Sequence, residues 1–213
     1  MTRVITILLA LLVPAAALPQ AGASLAPRVR FETSAGNFVV ELDTVRAPLT
    51  AENFLRYVRD GAYDGTVFHR VIANFVVQGG GYDDRLAPRQ PGAPIPNESG
   101  NGLSNRRGTL GLAREDSPHS GSSQFYINLV DNAGLDPLPS RWGYAVFGRV
   151  VEGMDVVDRI AYMRTETVPS FGSDVPVERP VVKRAYVIDA GPAAAPQPAP
   201  AEPPAEARAD PAR

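Results

Sequence analysis

Apolar and polar positions alternate along this chain in short runs separated by turn-forming residues, which is the signature of half-buried β-strands. Val29-Arg30-Phe31-Glu32-Thr33 follows that pattern, and so does Phe38-Val39-Val40-Glu41-Leu42. The Ser34-Ala35-Gly36-Asn37 segment between them reads as a hairpin connection. Pro48 suits the first turn of a helix that runs to about Arg59, because its missing N–H would be unpaired there anyway. Phe54, Leu55 and Val58 have the spacing of one helix face, and Gly61 supplies a stop. Further strands are predicted at Thr66–Ile72, Phe75–Gln78, Thr109–Ala113, Ser123–Leu129, Ala145–Val151 and Val181–Ile188. A second helix is predicted from about Met154 to Met163, with Val156, Val157, Ile160 and Ala161 on one side. Gly81 to Gly108 forms a long loop rich in Pro, Gly and Asn, and no internal repeat is evident. Many short strands with only two helices predict an antiparallel β-barrel or sandwich.

Three polar side chains interrupt this pattern. Arg70 lies within Phe68-His69-Arg70-Val71-Ile72, Gln78 follows Phe75-Val76-Val77, and Gln124 precedes Phe125-Tyr126-Ile127. Desolvating such groups is costly, so their presence in apolar strands points to partners or to a task. Strand alternation predicts that Phe68 and Arg70 share a face, as do Val76 and Gln78, and Gln124 and Tyr126. Converging, these faces would make an apolar groove with a few directed donors, the usual make-up of a small binding site. The structural alternative is that Arg70 is a buried arginine satisfied by carbonyls or a carboxylate. His69 falls on the face opposite Arg70 and is expected to serve packing.

The 213 residues and 44% apolar content fit one folded domain with appendages. The net charge of -2 argues against a nucleic-acid binder. With no cysteine and two histidines, the chain has no disulfide framework, no thiolate chemistry and no Cys- or His-rich metal site. Residues 1–23 read as a secretory signal: Arg3 is the positive n-region, Val4 to Val13 the apolar h-region, and Ala21-Gly22-Ala23 a cleavage site, with Ala15-Ala16-Ala17 as a second one. The uncharged run is short for a membrane span, so no membrane association is expected after cleavage. Residues 24–190 hold the folded domain. Residues 191–213, with seven prolines among alanines and scattered charges, are expected to be disordered.

The ordered motifs Phe68-His69-Arg70-Val71-Ile72, Gln78-Gly79-Gly80-Gly81, Gly108-Thr109-Leu110-Gly111-Leu112-Ala113-Arg114, Ser122-Ser123-Gln124-Phe125-Tyr126-Ile127 and Val146-Phe147-Gly148-Arg149-Val150 resemble the cyclophilin family of peptidyl-prolyl cis-trans isomerases, in its exported bacterial branch. The resemblance runs from about Val29 to Ile188. It implies a mainly β fold, a closed eight-stranded antiparallel barrel capped by two α-helices. It also implies cofactor-free isomerisation of X–Pro bonds. Arg70 matches the catalytic arginine, and Gln78 the glutamine that holds it and contacts substrate. Phe75, Val76, Phe125, Tyr126 and Leu135 match positions around the proline pocket. Ala113 and Arg114 match a segment whose backbone pairs with the peptide, and Gln124 a groove-lining glutamine. The chain departs from the eukaryotic pattern at four places: Val76 stands where a methionine is usual, Tyr126 for a phenylalanine, Gly134 for a tryptophan and Tyr144 for a histidine. The missing indole implies weak binding of cyclosporin-type macrocycles, unless Trp142 stands in for it.

The implied partners are proline-containing polypeptides, namely unfolded exported proteins, met in the periplasm by a monomer; full secretion is the alternative location. A binding module or holdase using the same groove without turnover is the alternative function, and the intact Arg70, Gln78 and Gln124 favour the enzyme. Other signals are weaker. Ser120 or Ser122 with His119 lacks a nucleophile elbow. Gly79-Gly80-Gly81 lacks the Gly-Lys-Ser/Thr ending of a phosphate loop and reads as a tight turn. Asp83-Asp84, Glu115-Asp116, Asp131 and Asp136 read as solvated loop charges without calcium-loop spacing.

Overall fold

The computed structural model describes residues 26–188; the predicted signal segment and Pro/Ala-rich tail lie outside the described residues. Ten strands and two α-helices follow one another in the order β1 (Arg28–Thr33), β2 (Gly36–Leu42), α1 (Pro48–Arg59), β3 (Thr66–Ile72), β4 (Val76–Asp83), β5 (Thr109–Leu112), β6 (Phe125–Asn128), β7 (Val146–Glu152), α2 (Met154–Ala161), β8 (Thr165–Val168), β9 (Gly172–Pro176) and β10 (Val182–Ile188). A 3-10 turn at Ala133–Leu135 precedes β7. Eight strands form one antiparallel sheet in the order β10-β1-β2-β7-β5-β6-β4-β3, and β8 pairs with β9 separately. The sheet curls strongly. An isolated bridge between Val67 and Val181 links β3 to the residue before β10, flanked by hydrogen bonds from Gly65 N–H to Val182 O and from Phe68 N–H to Pro180 O.

One aromatic cluster fills the concave side. Phe31 stacks on Phe38 with centroids 4.9 Å apart, and Phe125 lies edge-on to Phe54 at 5.4 Å. Phe54, Leu55 and Val58 of α1 and Val156, Val157 and Ile160 of α2 join this core, as their helical spacing predicts. Edge-to-face pairs add about 1 kcal/mol each beyond their burial.

Three elements differ from the sequence expectation. The glycine triplet does not form a turn: Gly79, Gly80 and Gly81 lie inside β4, which runs on to Asp83. A Cβ on Gly79 would come within 2.9 Å of Phe68, and one on Gly81 within 2.6 Å of Gln124. The triplet therefore lets side chains on both faces of the sheet approach the strand backbone. The β8–β9 hairpin carries no strand signal in the sequence, because exposed Thr165, Glu166 and Thr167 give it no apolar alternation. Asp136 and Asp131 are not simply solvated. Asp136 Oδ1 accepts the backbone and side-chain N–H groups of Asn105, and Asp131 Oδ1 accepts the Arg107 N–H.

The long loop is stitched to the body by side chains. Ala47, the residue before α1, offers no capping oxygen, and the cap comes from the loop instead. Glu98 accepts hydrogen bonds from Leu49 N–H at 3.1 Å, Thr50 N–H at 2.7 Å and the Thr50 hydroxyl at 2.6 Å. The carboxylate satisfies orphan donors and complements the helix dipole. Glu98→Ala should lower stability by about 1–2 kcal/mol, measured by urea unfolding, while leaving the strand content of the far-UV circular dichroism spectrum in place.

Candidate functional site

The site is built on the convex side of the sheet, around an irregularity in β3. Phe68 and Val71 both enter the core although they are three residues apart, and the β3–β4 register shifts between Phe68 and Arg70. This is a β-bulge, which inserts an extra residue and re-aims the side chains. The expectation that Phe68 and Arg70 share a face is therefore corrected: Phe68 points inward and Arg70 outward. The expectation that His69 opposes Arg70 fails for the same reason, since both face the β8–β9 hairpin. His69 meets Phe171 with ring centroids 6.3 Å apart, and Arg70 Nε lies 3.7 Å from Asp174 Oδ2.

From Arg70 the ladder runs to Gln78, then Tyr126, then Gly111, four directly paired residues on adjacent strands. The arginine Nη1 donates to Gln78 Oε1 at 3.4 Å, and Gln78 Nε2 donates to Gln124 Oε1 at 2.9 Å. Arg70, Gln78 and Gln124 thus form one chain of side chains, with the guanidinium at the end and 38% of the arginine side chain exposed. Arg70 is neither buried nor closed off, although it does contact a carboxylate.

Beside this polar row lies an apolar floor. Val76 and Tyr126 are buried outside the main core, and Phe75 is half-buried. The Tyr126 ring lies directly over Gly111, where any Cβ would occupy the same space. Its hydroxyl donates to Asn105 Oδ1 at 2.6 Å, and burial pushes its pKa well above the usual phenol value, so it remains a donor. Tyr144 packs edge-on against Tyr126 at 6.0 Å. Leu135 is tied in through the backbone: Tyr144 N–H donates to Leu135 O, and Leu135 N–H donates to Asn132 O. Asn132 Nδ2 also reaches Phe75 O at 3.0 Å. Phe75, Leu135, Tyr144 and Tyr126 are therefore linked to one another, Val76 follows Phe75 at the start of β4, and Phe125 is core.

Ala113 and Arg114 lie at the far end. The Ala113 N–H is spent on Gln124 O at 2.9 Å. The Arg114 guanidinium stacks 4.4 Å over the Tyr144 ring and donates to the carbonyls of Glu115, Trp142 and Gly143. It is a clamp between two loops. A depression beside it is lined by Ile95, Asn97, Leu112, Pro118 and Ala145. Gly134 is exposed, with open space where a Cβ would stand. Trp142 is 47% exposed and packs edge-on against His119 at 5.1 Å. His119 Nδ1 accepts the Asn97 N–H, a loop-fastening role rather than that of a base.

Sequence reasoning missed Asn105, Asn128 and Asp174. Asn128 is fully buried at the end of the apolar run Phe125–Asn128 and donates to Asn105 Oδ1 and Thr109 Oγ1. An amide closing an apolar strand is the signal that could have found it. Asp174 had no signal beyond being a charge beside Val175 and Pro176. Among the described residues, no cluster of three or more His, Cys, Asp or Glu side chains could hold a metal.

Comparison with known proteins identifies the family of the chain. The family model described as cyclophilin type peptidyl-prolyl cis-trans isomerase/CLD matches residues 28–187. Peptidyl-prolyl cis-trans isomerase cyp18 of Streptomyces antibioticus is 49% identical over 163 residues, covering 75% of this chain and 98% of that protein. Peptidyl-prolyl cis-trans isomerase B of Escherichia coli is 44% identical over 162 residues, with coverage of 75% and 98%. A crystal structure of a Cryptosporidium parvum cyclophilin type peptidyl-prolyl cis-trans isomerase in the presence of the dipeptide Ala-Pro superposes with a TM-score of 0.61 and 25% identity, covering 76% of this chain and 99% of that one.

The hairpin next to the site carries a pH-sensitive fastening. His69 packs against Tyr82 at 4.7 Å, Tyr82 packs against Phe171 at 4.8 Å, and His69 Nδ1 is buried without a partner. Burial lowers the His69 pKa to about 4 from the ordinary 6.5. The folded state thus keeps the ring neutral where the unfolded chain already binds a proton. His69's contribution is complete above about pH 6.5 and is lost as pH falls towards 4, by about 3 kcal/mol in all. Denaturant unfolding across this range should show a smaller acid loss in His69→Phe than in the parent; equal losses would remove His69 as the cause.

Proposed function

The chain belongs to the cyclophilin-type family and is a peptidyl-prolyl cis-trans isomerase, and on that premise we propose that Arg70 is its catalytic group and that Gln78 and Gln124 hold it over the proline pocket. The observation that carries this reading is the continuous Arg70–Gln78–Gln124 chain beside the apolar floor of Val76 and Tyr126.

The amide C–N bond resists rotation by about 18–20 kcal/mol because of its partial double-bond character. X–Pro bonds populate both isomers yet interconvert over tens to hundreds of seconds. Catalysis requires only that the twisted amide be held better than either planar form. Twisting localises the lone pair on the prolyl nitrogen. A guanidinium donor directed there stabilises that state and opposes the return of resonance. Arginine suits the task because it stays charged and its donors have a rigid geometry. Phe75, Val76, Tyr126 and Leu135 hold the proline ring while the preceding carbonyl rotates. The Ala113 carbonyl and the Arg114 backbone take the extended peptide, since the Ala113 N–H already has a partner.

Substrates in this reading are proline-containing peptide segments, in keeping with the dipeptide present in the Cryptosporidium structure, and in the cell unfolded exported proteins. Arg3, the apolar Val4 to Val13 run and Ala21-Gly22-Ala23 support export to the periplasm. The Val67–Val181 bridge supports closure of the curled sheet into a barrel. The enzyme works as a monomer and needs no cofactor, because every step is a bond rotation.

Arg70→Ala should lower kcat/KM by about 100-fold or more with the fold retained, since one well-directed donor supplies about 3–4 kcal/mol. Proline-limited refolding of a model substrate measures it, and near-normal rates would refute the role. Peptide binding by the same variant separates turnover from simple holding. The second expectation concerns macrocycles. The open space at Gly134 leaves the groove without an indole, and Trp142 is engaged with His119. Cyclosporin should bind in the micromolar range or more weakly, and Gly134→Trp should tighten it by about tenfold, or about 1.4 kcal/mol. Calorimetric titration decides the point; nanomolar binding by the unaltered protein would contradict it.

A further inference from the structure

We propose that Asp174 is a positioning residue for Arg70, and that the β8–β9 hairpin serves the isomerase reaction by carrying it. The inference rests on the reading of Arg70 as the catalytic group. The guanidinium is approached from two edges. Gln78 Oε1 faces Nη1 at 3.4 Å and Asp174 Oδ2 faces Nε at 3.7 Å. Among the described residues Nη2 has no hydrogen-bond partner, so the corner left open is the one that can reach a bound amide. The Nε distance exceeds that of a formed hydrogen bond. At that range the carboxylate acts through its charge, and catalytic contacts of this kind commonly tighten when substrate binds.

The carboxylate is itself held. Its other oxygen, Oδ1, accepts the Ser173 hydroxyl at 3.2 Å. The next residue, Val175, is buried, which anchors β9 against β3, and Phe171 caps the His69–Tyr82 pair. An arginine on a flexible stem loses turnover when its fork wanders, because transition-state donors act only over a narrow geometry. Gln78 alone restrains a single edge at a long distance. A second restraint of opposite charge fixes the fork's rotation. It also leaves the site's apolar wall untouched, so binding of the ground-state peptide does not depend on it.

The test compares the mature protein with D174N, D174E and R70A in a prolyl isomerisation assay that resolves kcat from KM, at low and at about 1 M salt, where the screening length falls to about 3 Å. D174N should lower kcat by about tenfold with KM within about twofold, and D174E should recover part of the loss. The parent's kcat should fall with salt and that of D174N should not. A kcat for D174N within about twofold of the parent overturns the inference, whatever its melting temperature. So does a loss of kcat accompanied by a lowered melting temperature and a parent rate indifferent to salt, which would mark a structural role. Full activity in R70A would instead remove the reading of Arg70 on which the inference stands, while loss in R70A with no change in D174N removes the inference alone.

Discussion

A guanidinium cannot be left in an apolar core, and β3 resolves this by one extra residue. Phe68 and Val71 both reach the core because the register slips between Phe68 and Arg70. Without that slip, strict alternation would send Arg70 inward with Phe68, among rings that offer it no acceptor. With it, the arginine emerges opposite Gln78 on the next strand. The bulge costs ladder regularity and leaves a locally weaker strand. The β8–β9 hairpin packs over the same strand and brings Asp174 to the arginine.

The rest of the site is rigid for reasons that lie mostly outside the strands. Asn105 accepts from Tyr126 and Asn128 and donates to Asp136, so a single amide joins the groove floor, the end of β6 and the loop before β7. Asn132 bridges Phe75 O and Asn128 Oδ1. Buried polar networks of this sort are costly when incomplete and rigid when satisfied. The long loop that the composition marks as irregular is therefore ordered by its asparagines and by Glu98.

Much of the design was legible along the chain. Both helices, the strands of the large sheet and the polar interruptions Arg70, Gln78 and Gln124 follow from periodicity and from the cost of desolvating polar groups. The errors about which face a residue occupies share one physical origin. Alternation assumes an unbroken ladder, and a bulge changes its phase without any mark in composition, which is why Phe68 does not share the face of Arg70 and His69 does not oppose it. The glycine triplet reads as a turn because glycine favours turns, yet here it answers to rings and side chains from distant segments. Asp136 looks like a solvated charge until the loop holding Asn105 folds against it.

The chain by itself determined which residues are apolar enough to form a core, where both helices and most strands of the large sheet lie, and which few polar groups had to find partners. Those are local properties, set by side-chain chemistry and by periods of two and of about 3.6 residues. Only the tertiary structure decided which face each site residue occupies and that Asp174, more than a hundred positions after Arg70, comes to stand beside its guanidinium. Strand register and the docking of a hairpin depend on contacts between segments remote in sequence, and no local pattern encodes a distance between them.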